Sequence, residues 1–137
     1  MKRVVATGVF NILHPGHILY LGEAKKLGDE LYVIVARDKT VKNKKRNRLI
    51  PEEQRLQVIK ALKVVDQAIL GDEKDMFKPI LKIGPDIIAI GRDQEFDEDK
   101  LRGELKRRGL ETEIVRIQKY LNSEFCSSRR IIDMLRN

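Results

Sequence analysis

The chain has 137 residues, of which 36% are charged and 5% aromatic, with 28 Lys and Arg against 21 Asp and Glu for a net charge of +7. This length fits one domain with a real core, and the composition fits a soluble protein with an aliphatic interior. No apolar run approaches the ~18 residues of a membrane span, the chain enters an apolar run at once with no signal-peptide pattern, and Cys126 alone excludes an intrachain disulfide, so a cytoplasmic location is expected.

Apolar runs alternate with amphipathic segments along the whole chain. Residues 3–7 read as a buried strand, and residues 17–27 as a helix with Ile18, Leu21, Ala24 and Leu27 at helical spacing. A second strand is predicted over 31–36. It is followed by residues 39–48, in which Lys39, Lys42, Lys44, Lys45, Arg46 and Arg48 face no acidic neighbour. Outside that decapeptide the charge is nearly balanced. One loop therefore carries the excess, which favours a compact polyanion over the broad basic face of a nucleic-acid binder. Pro51 opens a predicted helix over 52–62, with Glu52 and Glu53 in its dipole-favoured first turn. Strands follow at 67–70, 87–90 and 113–117, and helices at 74–83, 98–108 and 128–135. Gly28 and Gly109 read as helix stops. Val and Ile on both faces of the strands indicate a parallel sheet covered by helices. Strict β-α alternation makes this a three-layer α/β domain of the doubly wound, Rossmann-like kind, with one domain over 1–137.

Chemistry concentrates in Gly8-Val9-Phe10-Asn11-Ile12-Leu13-His14-Pro15-Gly16-His17, which joins the first strand to the first helix. Doubly wound folds bind phosphate there, because a helix start offers free N–H groups and a positive dipole end. Two imidazoles add donors, Pro15 stiffens the turn, and Gly16 allows close backbone approach. This block resembles the signature of the HxGH nucleotidyltransferases, in their cytidylyltransferase-like branch. Over nearly its whole length the chain resembles the archaeal FAD synthases, through Leu27–Asp38, Ile50-Pro-Glu-Glu-Gln-Arg55 and Pro85-Asp-Ile-Ile-Ala-Ile-Gly91. The bacterial glycerol-3-phosphate cytidylyltransferases are its next relatives.

The resemblance implies a five-stranded parallel sheet in the order 3-2-1-4-5 and direct in-line transfer of AMP from ATP to FMN, giving FAD and pyrophosphate. His14 and His17 would donate to triphosphate oxygens, and Gly8, Val9 and Phe10 would contact the nucleotide through the backbone. One of Lys42, Lys44 and Lys45 would clamp phosphate, with Arg55 in support. Gly91 and Asp93 would lie by the ribose. Arg116, Lys119 and Tyr120 follow the last strand, and Ser127 and Ser128 would turn amides and hydroxyls of the last helix toward phosphate. Where the family usually has Thr and Asp, this chain has Val9 and Asn11. The cytidylyltransferase Arg-Thr-Glu-Gly is absent, and Lys119-Tyr120 matches the archaeal pattern instead.

A divalent cation, expected to be Mg²⁺, would bridge the phosphates. ATP and FMN are the expected substrates, with no nucleic-acid or membrane partner and a homodimer as the assembly. CTP:glycerol-3-phosphate cytidylyltransfer is the same-fold alternative, and a non-catalytic RNA-binding module that uses the basic loop is the reading from another class. Cys126 has no vicinal cysteine or nearby histidine and reads as a packed residue.

Overall fold

Strands without a polar face must be covered on both sides, and that requirement organises the molecule. The computed structural model describes residues 1–41, 49–92 and 94–118. Strands β1 (Arg3–Gly8), β2 (Glu30–Val35), β3 (Gln67–Leu70), β4 (Ile87–Ile90) and β5 (Glu113–Arg116) form one parallel sheet in the order β3-β2-β1-β4-β5, as expected. Helices α1 (Pro15–Lys26), α2 (Glu52–Lys60), α3 (Phe77–Ile83) and α4 (Glu98–Arg107) make the crossovers between successive strands.

Alternation along β1 sends its side chains to two separate cores. Val4 and Ala6 pack with Leu21 and Ala24 of α1 and Leu56 and Ile59 of α2. Val5 packs on the opposite face with Ile80 and Ile83 of α3 and Leu101 and Leu105 of α4. The first two crossovers thus cover one face and the last two the other. The chain reverses direction across the sheet between β3 and β4, which puts the topological switch point between β1 and β4. Ligands of open α/β sheets bind at the carboxyl ends of the strands at such a point.

Three local differences from the expected elements have clear causes. Helix α1 begins at Pro15, because His14 itself caps it. Helix α3 begins at Phe77 and not at residue 74: Asp72 Oδ1 accepts from the backbone N–H groups of Lys74 and Asp75, and Asp75 Oδ1 from Phe77, which favours a turn over a helix. Gly109 stops α4 with φ +91°, but Gly28 is required by contact: a Cβ there would lie 2.8 Å from both the Lys2 carbonyl oxygen and the Val4 side chain. The predicted helix at 128–135 lies outside the described residues.

Candidate active site

Beyond β1 the backbone turns sharply. Phe10 adopts a left-handed conformation at φ 54°, which is costly for a residue with a side chain. Its ring folds back over Gly8, where a Cβ would sit 2.8 Å from Phe10 Cζ. The ring also meets His17 edge-on, with centroids 5.2 Å apart. His14 caps α1, its Nδ1 accepting from Gly16 N–H at 3.1 Å. A nitrogen that accepts cannot carry the proton, so neutral His14 holds its proton on Nε2. Pro15 occupies the start of the helix, and the first turn holds no acidic side chain to compete for an anion at the positive dipole end.

The two imidazoles are stacked, with centroids 3.7 Å apart and planes inclined by 25°. Burial holds His14 below its ordinary value. Burial, with His14 beside it, depresses His17 to about 4. Both rings are therefore neutral near pH 7. Two cations at this spacing would repel by about 4 kcal/mol at an effective dielectric of 20. His17 Nδ1 is buried and has no hydrogen-bond partner among the described residues.

Arg55, expected as a support of the site, is 1% exposed and forms the hub of this end of the sheet. Its Nη1 donates to Val9 O and Ala36 O at 2.9 and 2.8 Å, its Nε to Ile50 O at 2.7 Å, and its Nη2 to Asp38 Oδ1. The segment after β1, the segment after β2 and the start of α2 thus converge on one guanidinium. Asn11 adds a second tie, its Oδ1 accepting from Ile50 N–H at 2.7 Å. It keeps the carbonyl-type acceptor of an aspartate at this position without the charge.

Across the switch point the β1–β4 register ends at Ala6 and Ala89, whereas the β1–β2 register continues to Gly8 and Val35. Side chains take over on the β4 side. Tyr20 Oη accepts from Thr7 N–H at 3.2 Å and donates to Ala89 O at 2.7 Å. Gln94 Nε2 donates to Thr7 O at 3.0 Å, while its Oε1 accepts from Gly91 N–H at 2.7 Å. Neither residue had been marked by the sequence motifs. A Tyr on the buried side of α1 that must satisfy its hydroxyl was the one available signal.

Arg116 sits nearby, but its donors point into the protein. Nε pairs with Glu98 at 2.7 Å, Nη1 donates to Gly91 O and Gln94 O at 3.1 and 2.8 Å, and Nη2 donates to Phe96 O at 3.0 Å. The structure therefore brings together Gly8, Val9, Phe10, His14, Pro15, Gly16 and His17, holds them through Arg55, and puts Gly91 and Arg116 across the crevice. Lys42, Lys44, Lys45, Asp93, Lys119, Tyr120, Cys126, Ser127 and Ser128 lie outside the described residues.

A family model described as cytidylyltransferase-like matches residues 5–134. The chain belongs to that cytidylyltransferase-like family. Among curated family relatives, the FAD synthase of Archaeoglobus profundus is 63% identical over 132 residues, covering 96% of this chain and 84% of that protein. The FAD synthase of Ferroglobus placidus is 60% identical over 135 residues, covering 98% and 88%. Among solved structures, a protein from Thermoplasma volcanium titled a lipopolysaccharide core biosynthesis protein superposes with a TM-score of 0.84 at 55% identity, covering 88% of this chain and 99% of that one.

Among the described residues, no group of three or more His, Cys, Asp or Glu could hold an ion. The described residues thus offer no metal cage of their own. Beside His14 lies an open depression of about 600 Å³ lined by Leu13, His14, Pro15, Ile18 and Leu19, mostly aliphatic surface. Among the described residues no helix is long and apolar enough to cross a membrane.

Proposed function

We propose that the chain is an FMN adenylyltransferase: a phosphate oxygen of FMN attacks the α-phosphorus of ATP, the bond to the β-phosphate oxygen breaks, and FAD and pyrophosphate leave. The observation that carries this reading is the stacked His14–His17 pair at the capped start of α1, in a chain whose curated relatives at 60–63% identity are named FAD synthases. In-line phosphoryl-type transfer requires positioning and charge stabilisation, with no covalent intermediate on the protein. His14 supplies a fixed Nε2–H donor, and His17 lies against it with its ring braced by Phe10. Neutral imidazoles desolvated at a helix start gain most when a polyanion arrives, because its field offsets both burial and the repulsion between the rings.

Lys42, Lys44 and Lys45 are assigned to the triphosphate. Gly91, Asp93, Lys119, Tyr120, Ser127 and Ser128 are assigned to the rest of the nucleotide, and Arg116 to holding the segment after β4. The aliphatic depression beside His14 supports an acceptor with an apolar ring system over a small phosphorylated alcohol. Mg²⁺ is the proposed metal, carried on the triphosphate and neutralising its charge. The proposal includes one domain over 1–137 and a homodimer without nucleic acid, which light scattering tests. Pyrophosphate release measured with ATP or CTP against FMN, glycerol 3-phosphate and phosphocholine tests the activity. Release with ATP plus FMN is expected, and release only with CTP plus glycerol 3-phosphate would overturn the substrate assignment.

A further inference from the structure

Thr7 is the β1 residue at which the ladder to β4 gives out. Its N–H and its carbonyl oxygen are instead satisfied by side chains, those of Tyr20 on α1 and of Gln94 after β4. Tyr20 reaches from α1 and ties Thr7 N–H to Ala89 O, so it binds strand to strand within the sheet. Gln94 acts one step further out. Its carboxamide spans from Gly91 N–H, just past the end of β4, to Thr7 O, just before the histidine turn.

The segment carrying Gln94 is itself held. Arg116 donates to the carbonyl oxygens of Gly91, Gln94 and Phe96 and is braced by Glu98. Gly91 leaves space for the fold-back, since a Cβ there would stand 3.3 Å from Gln94 Oε1. Gln94 is thus anchored at its own backbone and grips β1 through its side chain.

We infer that Gln94 is a positioning residue that fixes the spacing between the two banks of the crevice. The histidine turn after β1 forms one bank and the segment after β4 the other. This rests on the reading of that crevice as the nucleotide site. A nucleotide bridging both banks meets them preset, and the spacing acts on binding the nucleotide more than on the transfer step. Both ends of the carboxamide are needed: a carboxylate keeps the acceptor for Gly91 N–H but cannot donate to Thr7 O, and a thioether does neither.

The test compares Gln94→Glu and Gln94→Met with wild type in pyrophosphate release, with urea unfolding measured in parallel. The expected result is a nucleotide KM raised about tenfold or more in both variants, with kcat within about threefold and acceptor KM little changed. The KM split should persist at temperatures well below unfolding. An unchanged nucleotide KM, full function in Gln94→Glu, or a fall in kcat at constant KM would overturn the inference while leaving the enzyme reading intact. Failure of wild type to release pyrophosphate from ATP or CTP with any acceptor would instead remove the nucleotide-site reading, and the inference with it.

Discussion

Replacing Arg55 by Met removes a buried guanidinium and leaves its four partners, Val9 O, Ala36 O, Ile50 O and Asp38 Oδ1, to find others. A buried polar group deprived of its partner costs about 1–3 kcal/mol, and breaking a buried ion pair from one side about 3–5 kcal/mol. The Asp38 side chain is 39% exposed, so water recovers part of its share. Most of the loss therefore comes from the carbonyl oxygens. The expected destabilisation is about 3–5 kcal/mol, against a total of roughly 7–20 kcal/mol for a domain of this size. The variant should fold, with a lower urea midpoint and an unchanged m-value. Arg55→Lys keeps the charge but lacks the rigid fork, and should lose about half as much. Since Arg55 ties the segments leading into the histidine turn and out of the basic loop, the triphosphate KM should rise in Arg55→Met even where the protein is fully folded. A loss below about 1 kcal/mol with unchanged KM would refute the assignment of Arg55 as the hub.

Two further outcomes concern charge. Burial sets His17 at about 4, below its ordinary value near 6.5, so the unfolded chain binds the extra proton between those values. His17 therefore makes the protein lose stability as pH falls from about 6.5 toward 4, with its full contribution present above 6.5. Histidine NMR titration should find its midpoint near 4 in the free protein, and a midpoint at or above 6.5 would contradict the desolvated, stacked arrangement. Neutralising Lys42, Lys44 and Lys45 together should weaken ATP far more than the acceptor, because Coulomb attraction grows with phosphate charge and is salt-screened. Equal loss for both substrates, measured as KM at two ionic strengths, would deny the loop its phosphate role.

A covered parallel sheet was legible because Val and Ile runs in β1, β2 and β4 leave no solvent face, whereas its strand order came from the family resemblance, since β-α alternation alone suits several orders. Helix starts were less so. His14 is an unusual cap beside the Ser, Thr, Asp and Asn that ordinarily mark one, and the Asp72 and Asp75 turns compete with helix over the same residues. The histidine turn announced itself through its spacing. Arg55 entered as a support through the resemblance alone: Glu-Glu-Gln-Arg55 by itself looks like a charged, solvated first turn, and its burial follows only from which strand ends lack partners in three dimensions. Gln94 had no such entry, since a lone Gln after Gly-Arg-Asp carries no periodicity, and its role exists only because the β1–β4 ladder stops early. Arg116 was expected among the nucleotide-binding residues at the end of the last strand, yet backbone carbonyls and Glu98 take up its donors.

The central claim, that the paired histidines carry nucleotidyl transfer to FMN, is tested most directly by FAD formation from FMN and ATP in wild type, His14→Ala and His17→Ala. Loss of one transition-state donor should cut turnover by about 10²-fold or more, with circular dichroism and the urea midpoint showing the fold retained. Turnover unchanged in either variant, or no FAD from wild type under saturating substrates, would contradict the account.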